Sequence, residues 1–259
     1  DSPKQVYIVG ICHREPNTGK NNDYTVSTQI EIYRIGEWLN KHARLNLILP
    51  EGYFTQDHTV RNAFSQDAYA NPTANFPSDS DLKQLLEDES RFINAEMLLM
   101  DHLNFRAAQV EDRDVYQCTL DCLTKLQRDK KLSADYEAGV DELNYLQDVR
   151  TAILLQNIPE TIEKVTTKGA VESHSALFTI GLSHLAKIHQ FIEEQEIVIQ
   201  SENKDFPINK IENSHLNLVN AQYGITIILP RTLADNTSLL KKTGLDSIQH
   251  HYSELLSQP

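Results

Sequence analysis

Two motifs of this sequence share the pattern Gly-x-x-His, and each ends in a side chain that can do chemistry. They are Gly10-Ile11-Cys12-His13 and Gly181-Leu182-Ser183-His184. A neutral imidazole can accept a proton or bind a metal ion. The glycine allows the backbone to turn sharply or to approach a neighbouring element closely. Both histidines are therefore candidate catalytic or metal-binding residues.

Two carboxylates occupy comparable positions, because each directly follows a largely apolar run. Glu51 follows residues 47–50, and Glu111 follows residues 107–110. Two histidines with one or two carboxylates are a reasonable ligand set for a divalent metal ion such as Mn, Co or Zn. The same groups can also act as a general base with its orienting partners. His13, Glu51 and His184 are thus candidate metal ligands and catalytic residues, Glu111 is a further catalytic candidate, and the choice between metal and base stays open.

Short runs rich in Val and Ile, separated by longer helical patterns, must position these side chains. The runs lack polar alternation, which is typical of strands covered by helices on both faces. The pattern predicts an α/β fold with an open, mostly parallel central sheet flanked by helices on both faces. Ligands bind such sheets in the crevice outside the carboxyl ends of the strands, so both histidines should face one crevice. The expected strands are Gln5 to Cys12, Leu45 to Glu51, Phe105 to Glu111, Ala176 to Leu182, Glu196 to Gln200 and Gly224 to Leu229.

Helical periodicity fills the segments between the strands. We expect Pro159 to stop or kink the fourth helix near Ile158, which favours two helices there. In the helix expected to end at Glu194, we expect Ser183 to be the N-cap and His184 to lie in the first turn. The helix dipole disfavours imidazolium at that position. The expected helices are Tyr24 to His42, Ser80 to Leu103, Asp114 to Lys130, Ala134 to Lys168 and Ser183 to Glu194.

The chain of 259 residues is expected to form a single α/β domain over 1–259. Residues 55–81 are poor in aliphatic side chains and contain two prolines, which indicates either an insertion acting as a lid or a solvated loop. Residues 213–259 are expected to add an edge strand or hairpin and a final helix.

Composition excludes some classes of partner. The formal net charge of −13 would repel a nucleic acid backbone, and no apolar stretch is long enough to span a membrane. The three cysteines do not suggest a disulfide framework, which favours the cytoplasm, with export after removal of a signal as the alternative. The sequence does not indicate the oligomeric state.

The order of these motifs resembles the Tiki/TraB superfamily, with its ChaN-like haem-uptake and erythromycin-esterase-like relatives. The resemblance covers residues 5–194: Gly-x-x-His after the first strand, Glu after the second, an arginine-bearing helix, and a second Gly-x-x-His. One departure is that Pro50 stands before Glu51, where an apolar residue is commoner. The matching segments are 9–13, 49–52, 148–150 and 179–185.

This resemblance implies roles for particular residues. In Tiki-like members the paired histidines and the glutamate are linked to metal-dependent proteolysis, whereas in erythromycin-esterase-like members a histidine activates water without metal. Carried over to this chain, His13, Glu51 and His184 receive metal or base roles. Arg150 receives an anion-stabilising or structural role.

Two hypotheses for function follow. The first is a hydrolase that cleaves a peptide, ester or related bond of a small-molecule or peptide substrate, using water activated by His13, Glu51 and His184, with metal dependence favoured. The second is a non-catalytic binding protein that keeps the fold and crevice for a cofactor or a peptide partner.

Overall fold

A five-stranded sheet with every strand parallel forms the centre of the protein. The computed structural model describes residues 3–12, 22–55, 77–88, 93–128, 134–169, 171, 173–199 and 214–247. The strands of the central sheet are β1 (Gln5–Ile11), β2 (Leu47–Pro50), β3 (Arg106–Ala107), β4 (Ala176–Gly181) and β7 (Gly224–Ile228).

The spatial order of these strands is β3-β2-β4-β1-β7, which makes β7 an edge strand. The predicted strand from Glu196 to Gln200 is wrong in length and does not belong to this sheet. Its residues Glu196–Ile197 (β5) pair antiparallel with Ser214–His215 (β6) in a separate two-stranded sheet.

Helices cover both faces of the central sheet, as the sequence predicts, and the expected α/β fold class is confirmed. The helices are α1 (Asp23–Ala43), α2 (Asp79–Glu87), α3 (Ala95–Leu103), α4 (Arg113–Arg128), α5 (Ala134–Thr167), α6 (Leu185–Glu194), α7 (Asn217–Asn220), α8 (Arg231–Ala234) and α9 (Thr237–Lys242).

Successive strand residues enter different cores because side chains alternate across a sheet. Ile8 packs in the core formed with α5, α6 and the C-terminal helices, whereas Val9 packs in the core formed with α1, α2 and α3. Both side chains are fully buried. Burial on both faces explains why the strand sequences are apolar without alternation.

Helix α5 continues through Pro159, so the expectation of two helices is wrong. A proline inside a helix costs about 3 kcal/mol because it removes a backbone hydrogen bond and crowds the preceding turn. Ile158 and Ile162 flank it and are fully buried against the sheet. Burying two such side chains contributes roughly 1.5–3 kcal/mol each, which offsets the cost.

The single helix predicted from Ser80 to Leu103 is also wrong, because two helices with separate caps occupy this stretch. Ser78 and Asp81 form a capping box that starts α2, and α2 ends at Glu87. Asn94 then starts α3 by accepting a hydrogen bond from the amide of Met97. Residues 89–92 between them lie outside the described part of the chain.

Gly10 allows β1 and α6 to pack closely. A Cβ atom at this position would lie 2.6 Å from Cδ1 of Leu185 and 3.1 Å from Cδ1 of Leu182. The glycine of the first Gly-x-x-His motif is thus explained by close packing against the residues on either side of the second histidine.

The structure describes the two peripheral segments, 55–81 and 213–259, to different extents. Most of the insertion or lid expected at 55–81 lies outside the described residues, which resume at 77. At the C-terminal end, β7 provides the expected edge strand and short helices follow it, while residues 248–259 lie outside the described part. Among the helices that are described, none combines the length and apolar character needed to cross a membrane.

Candidate functional site

Three neighbouring strands bring the sequence motifs to one edge of the sheet. Strand β4 lies between β2 and β1, with Pro50 paired to Thr179 and Ile11 paired to Gly181. The amide of Glu51 donates a hydrogen bond to the carbonyl of Thr179 (2.9 Å), which continues this register past the end of β2. Glu51, Cys12 of the first Gly-x-x-His motif and the second motif therefore follow neighbouring strands at the same end of the sheet.

Four of the five candidate site residues are described, and they are in contact with one another. They are Glu51, Glu111, Arg150 and His184, all buried or nearly so. His13 lies outside the described residues. The chain is described as far as Cys12, one residue beyond the end of β1.

Arg150 lies between the two carboxylates. Its Nε and Nη2 atoms donate to the two oxygens of Glu111, at 2.9 and 2.7 Å. Its Nη1 atom is 2.8 Å from Oε1 of Glu51. The side chains of Glu51, Glu111 and Arg150 are 7%, 0% and 9% exposed, so the cluster is shielded from solvent and its charges interact strongly.

The electrostatics of the cluster favour an ionised arginine. Burial alone would lower the pKa of Arg150, but the adjacent carboxylates of Glu51 and Glu111 outweigh it and raise the pKa above the ordinary value. Two backbone amides add further donors. Gly52 donates to Oε2 of Glu111 at 3.0 Å, and Gly181 donates to Oε2 of Glu51.

His184 connects this cluster to helix α5. Its Nε2 atom is 3.5 Å from Oε1 of Glu51, and its Nδ1 atom is 2.6 Å from Oγ1 of Thr151. The ring is only 5% exposed. The imidazole is therefore held on both sides by polar partners rather than packed in hydrocarbon.

The local backbone at His184 differs from the sequence expectation. Residues Leu182–His184 form a turn of 3-10 helix, and α6 begins at Leu185. His184 is thus the N-cap residue of α6, and among the described residues no side chain makes a cap hydrogen bond there. The predictions that Ser183 is the N-cap and that His184 lies in the first turn are wrong.

Glu111 is positioned by a segment that is not a strand. The strand predicted from Phe105 to Glu111 pairs only over Arg106–Ala107. Helix α5 then supplies the partners that a neighbouring strand would give: Asn157 donates to the carbonyl of Val110 (2.9 Å), and Thr161 donates to that of Gln109 (3.3 Å). Polar side chains of the helix thus replace the sheet ladder and fix Glu111 next to Arg150.

Two residues of the site were not expected from the sequence. Thr151 contacts His184, and the ring of Tyr116 lies 5.0 Å from the guanidinium carbon of Arg150. Burial and the carboxylates of Glu111 and Glu51 raise the pKa of Tyr116, against the opposing effect of Arg150. A signal for Thr151 existed, because Arg150 and Thr151 form a polar pair inside the otherwise apolar run 149–155.

The described residues fit a metal centre less well than a hydrogen-bonded cluster. Glu51 and His184 are two of the three candidate ligands, but Oε1 of Glu51 already contacts the guanidinium of Arg150 at 2.8 Å. A divalent ion on the same oxygen would be repelled by that charge. In the part of the chain that is described, no group of three or more His, Cys, Asp or Glu side chains could hold a metal ion.

Comparison of the chain with protein-family models, with curated proteins and with solved structures gave no significant match. The resemblance to the Tiki/TraB superfamily therefore stays a prediction based on the motifs themselves.

Proposed function

We propose that this protein is a hydrolase in which His184 and Glu51 activate a water molecule that attacks a carbonyl carbon. One observation carries the proposal: the imidazole of His184 lies between Thr151 and Glu51, with its Nε2 atom 3.5 Å from a carboxylate that Arg150 fixes in place. A histidine base with a neighbouring carboxylate is a common arrangement for general base catalysis.

The reaction would proceed in two proton transfers. Water loses a proton to Nε2 of His184 while its oxygen bonds to the carbonyl carbon of an ester or peptide. The resulting imidazolium is stabilised by the carboxylate of Glu51 at 3.5 Å. It then returns the proton to the leaving oxygen or nitrogen as the scissile bond breaks, and the neutral imidazole is restored.

Arg150 acts through the carboxylates in this proposal. Its contacts to Glu51 and Glu111 use Nε, Nη1 and Nη2, which supports the structural role among the two roles that the family resemblance implies. Glu111 in turn holds Arg150. Arg150 and Glu111 are thus positioning residues, whereas His184 and Glu51 act on the water.

The proposed hydrolase has a metal-free version, described above, and a metal-dependent version with a divalent ion. His13, Glu51 and His184 would hold it, and the ion would supply a bound water of lowered pKa together with polarisation of the carbonyl. The repulsion from Arg150 weighs against this form, and the experiment below tests it separately.

The test is a screen of the purified 259-residue chain against ester, amide and peptide substrates that release a coloured or fluorescent product. Matched variants are His184→Gln, Glu51→Gln, His13→Gln and the control His215→Gln, at a histidine whose side chain is 74% exposed. We expect activity to fall by about 10²-fold or more in His184→Gln and Glu51→Gln. It should be unchanged in His215→Gln.

Elemental analysis and a chelator accompany the screen. Activity that survives chelation with no stoichiometric metal supports the metal-free form, and activity lost on chelation and restored by Mn, Co or Zn supports the metal form. Absence of hydrolysis in the parent chain, or full activity in folded His184→Gln, would overturn the proposed function.

A second candidate function is a binding protein without turnover. It is favoured because every carboxylate oxygen of Glu51 and Glu111 already has a hydrogen-bond or ion-pair partner. Both oxygens of Glu111 accept hydrogen bonds from Arg150, and both oxygens of Glu51 have partners. Such a cluster could simply stabilise the crevice for a cofactor or a peptide. Binding of a ligand without conversion, unaffected by His184→Gln, would support this candidate.

A further inference from the structure

We propose that Thr151 selects the tautomer of His184, so that Nδ1 carries the proton and Nε2 is the atom that accepts one. Thr151 is thereby a positioning residue. The inference rests on the proposed function only for its effect on reaction rate, since the tautomer itself can be measured without any substrate.

The inference follows from counting protons in two short contacts. Oγ1 of Thr151 is 2.7 Å from the carbonyl oxygen of Gln147 and 2.6 Å from Nδ1 of His184. At these separations each pair of atoms needs a hydrogen between them, because two lone pairs would repel. The threonine hydroxyl has only one hydrogen, and the carbonyl of Gln147 has none to give.

The second hydrogen must therefore come from the imidazole. Nδ1 donates to Oγ1 of Thr151, and Oγ1 donates to the carbonyl of Gln147, one helical turn earlier. Turning the hydroxyl toward Nδ1 instead would leave two oxygen lone pairs facing each other at 2.7 Å. Thr119 and Thr166 make the same hydrogen bond to the carbonyl four residues earlier, so this geometry recurs in the protein.

The other side of the ring is consistent with this assignment. Nε2 of His184 is 3.5 Å from Oε1 of Glu51, beyond the usual range of about 2.7–3.2 Å for an N–H···O hydrogen bond. No proton is needed between these two atoms. In the neutral ring, Nε2 therefore carries a lone pair and no proton, beside the carboxylate that would stabilise the imidazolium.

The test is ¹⁵N NMR of the labelled 259-residue chain, using couplings between ring protons and ring nitrogens. The His184→Gln variant identifies the signals of this ring, and spectra are recorded at a pH where those signals show a neutral ring. We expect Nδ1 to be protonated and Nε2 unprotonated. A predominantly Nε2-protonated ring, or an equal mixture of tautomers, would overturn the proposal.

Two variants and one control show whether Thr151 is the cause. Thr151→Val removes the hydroxyl at nearly constant shape and should raise the population of the Nε2-protonated tautomer, while Thr151→Ser should retain the parent tautomer. The control is Thr119→Val, at a buried threonine of α4 whose hydroxyl donates to the carbonyl of Val115 (2.8 Å). An unchanged tautomer in folded Thr151→Val would contradict the proposal.

The outcomes separate the two proposals. If the parent ring has the expected tautomer but no substrate is hydrolysed, the proposed function fails and this inference stands. If hydrolysis is found, Thr151→Val should lower kcat by about 10-fold or more and Thr151→Ser should restore most of it. Hydrolysis with an Nε2-protonated ring would overturn the inference and the assignment of Nε2 as the base, while the hydrolase activity itself would stand. Should Thr151→Val not fold, the tautomer of the parent protein still decides.

Discussion

The guanidinium of Arg150 and the carboxylate of Glu111 form a bidentate pair, with Nε and Nη2 donating to Oε1 and Oε2 at 2.9 and 2.7 Å. The two parallel hydrogen bonds fix the orientation of both groups as well as their separation. Because Nη1 of the same guanidinium contacts Glu51, the orientation set by Glu111 reaches the carboxylate beside His184. The pair therefore helps to position the carboxylate that lies beside His184.

Removal of Arg150 should be strongly destabilising. Arg150→Met leaves two carboxylates buried without their cation, and we expect a loss of about 3–5 kcal/mol in the free energy of unfolding. Arg231→Met is the matched control, because the side chain of Arg231 is 87% exposed and forms its ion pair with Asp235, directly after α8, so the loss should be about 0–1 kcal/mol. Urea denaturation measures both variants. Similar values for the two would contradict the buried ion pair.

The bidentate pair should also show coupling in a double-mutant cycle. Glu111→Gln alone leaves Arg150 with weaker acceptors, and Arg150→Met alone leaves Glu111 uncompensated. The loss in the free energy of unfolding of the double variant should be smaller than the sum of the two single losses, by on the order of 1–3 kcal/mol. Denaturation curves of the four proteins give the value. Additive losses would show that the two side chains do not depend on each other.

Gly10→Ala should affect the site more than a similar substitution elsewhere. A Cβ at Gly10 would lie 2.6 Å from Leu185, next to His184, and a Cβ at Gly36 would lie 2.6 Å from Leu99, between α1 and α3. Both substitutions overpack and should cost about 1–3 kcal/mol. Only Gly10→Ala should also change the ¹⁵N shifts of the His184 ring. An equal change of these shifts in Gly36→Ala would argue against the specific packing.

Stability should fall in alkaline solution through Tyr33. Burial raises the pKa of Tyr33 to about 12, because the charged phenolate is poorly solvated there and Glu37 repels it more than Arg34 attracts it. The unfolded chain ionises near pH 10, so the folded state loses stability as the pH rises from about 10 to about 12 and keeps it below about 10.

Tyr33→Phe should therefore make the loss of stability between about pH 10 and pH 12 less steep than in the parent. At neutral pH the variant should lose about 1 kcal/mol, since the hydroxyl of Tyr33 lies 3.3 Å from Nδ1 of His102. Urea denaturation at a series of pH values checks both effects. A slope equal to that of the parent would show that Tyr33 ionises normally.

The sequence predicts the parallel sheet because burial on both faces leaves a direct trace in the strands. Ile8 and Val9 are consecutive, apolar and fully buried in different cores, which is typical of a strand in a sheet covered on both faces. The same trace identifies where strands end, so the positions of Glu51 and His184 at one sheet edge could be expected. The sequence does not predict the spatial order β3-β2-β4-β1-β7, because contacts between residues distant in sequence decide which strands are neighbours.

The errors arise where a distant part of the chain supplies what the local sequence lacks. Pro159 stays inside α5 because the sheet buries the isoleucines on either side of it. The segment before Glu111 is not a strand because Asn157 and Thr161 of α5 satisfy its carbonyls. The role of Thr151 is not predictable from the sequence for a related reason, since its partner His184 is 33 residues away along the chain.

Helix α5 carries Arg150 and Thr151 at consecutive positions. The ion pairs of the cluster and the hydrogen bond to His184 therefore both depend on the position of this one helix. Successive residues project about 100° apart around a helix axis. Rotation or sliding of α5 would therefore displace the guanidinium from both glutamates and the hydroxyl from the imidazole in the same movement. A ligand or partner that shifted this helix would alter the charge balance beside His184 and the proton position on its ring together.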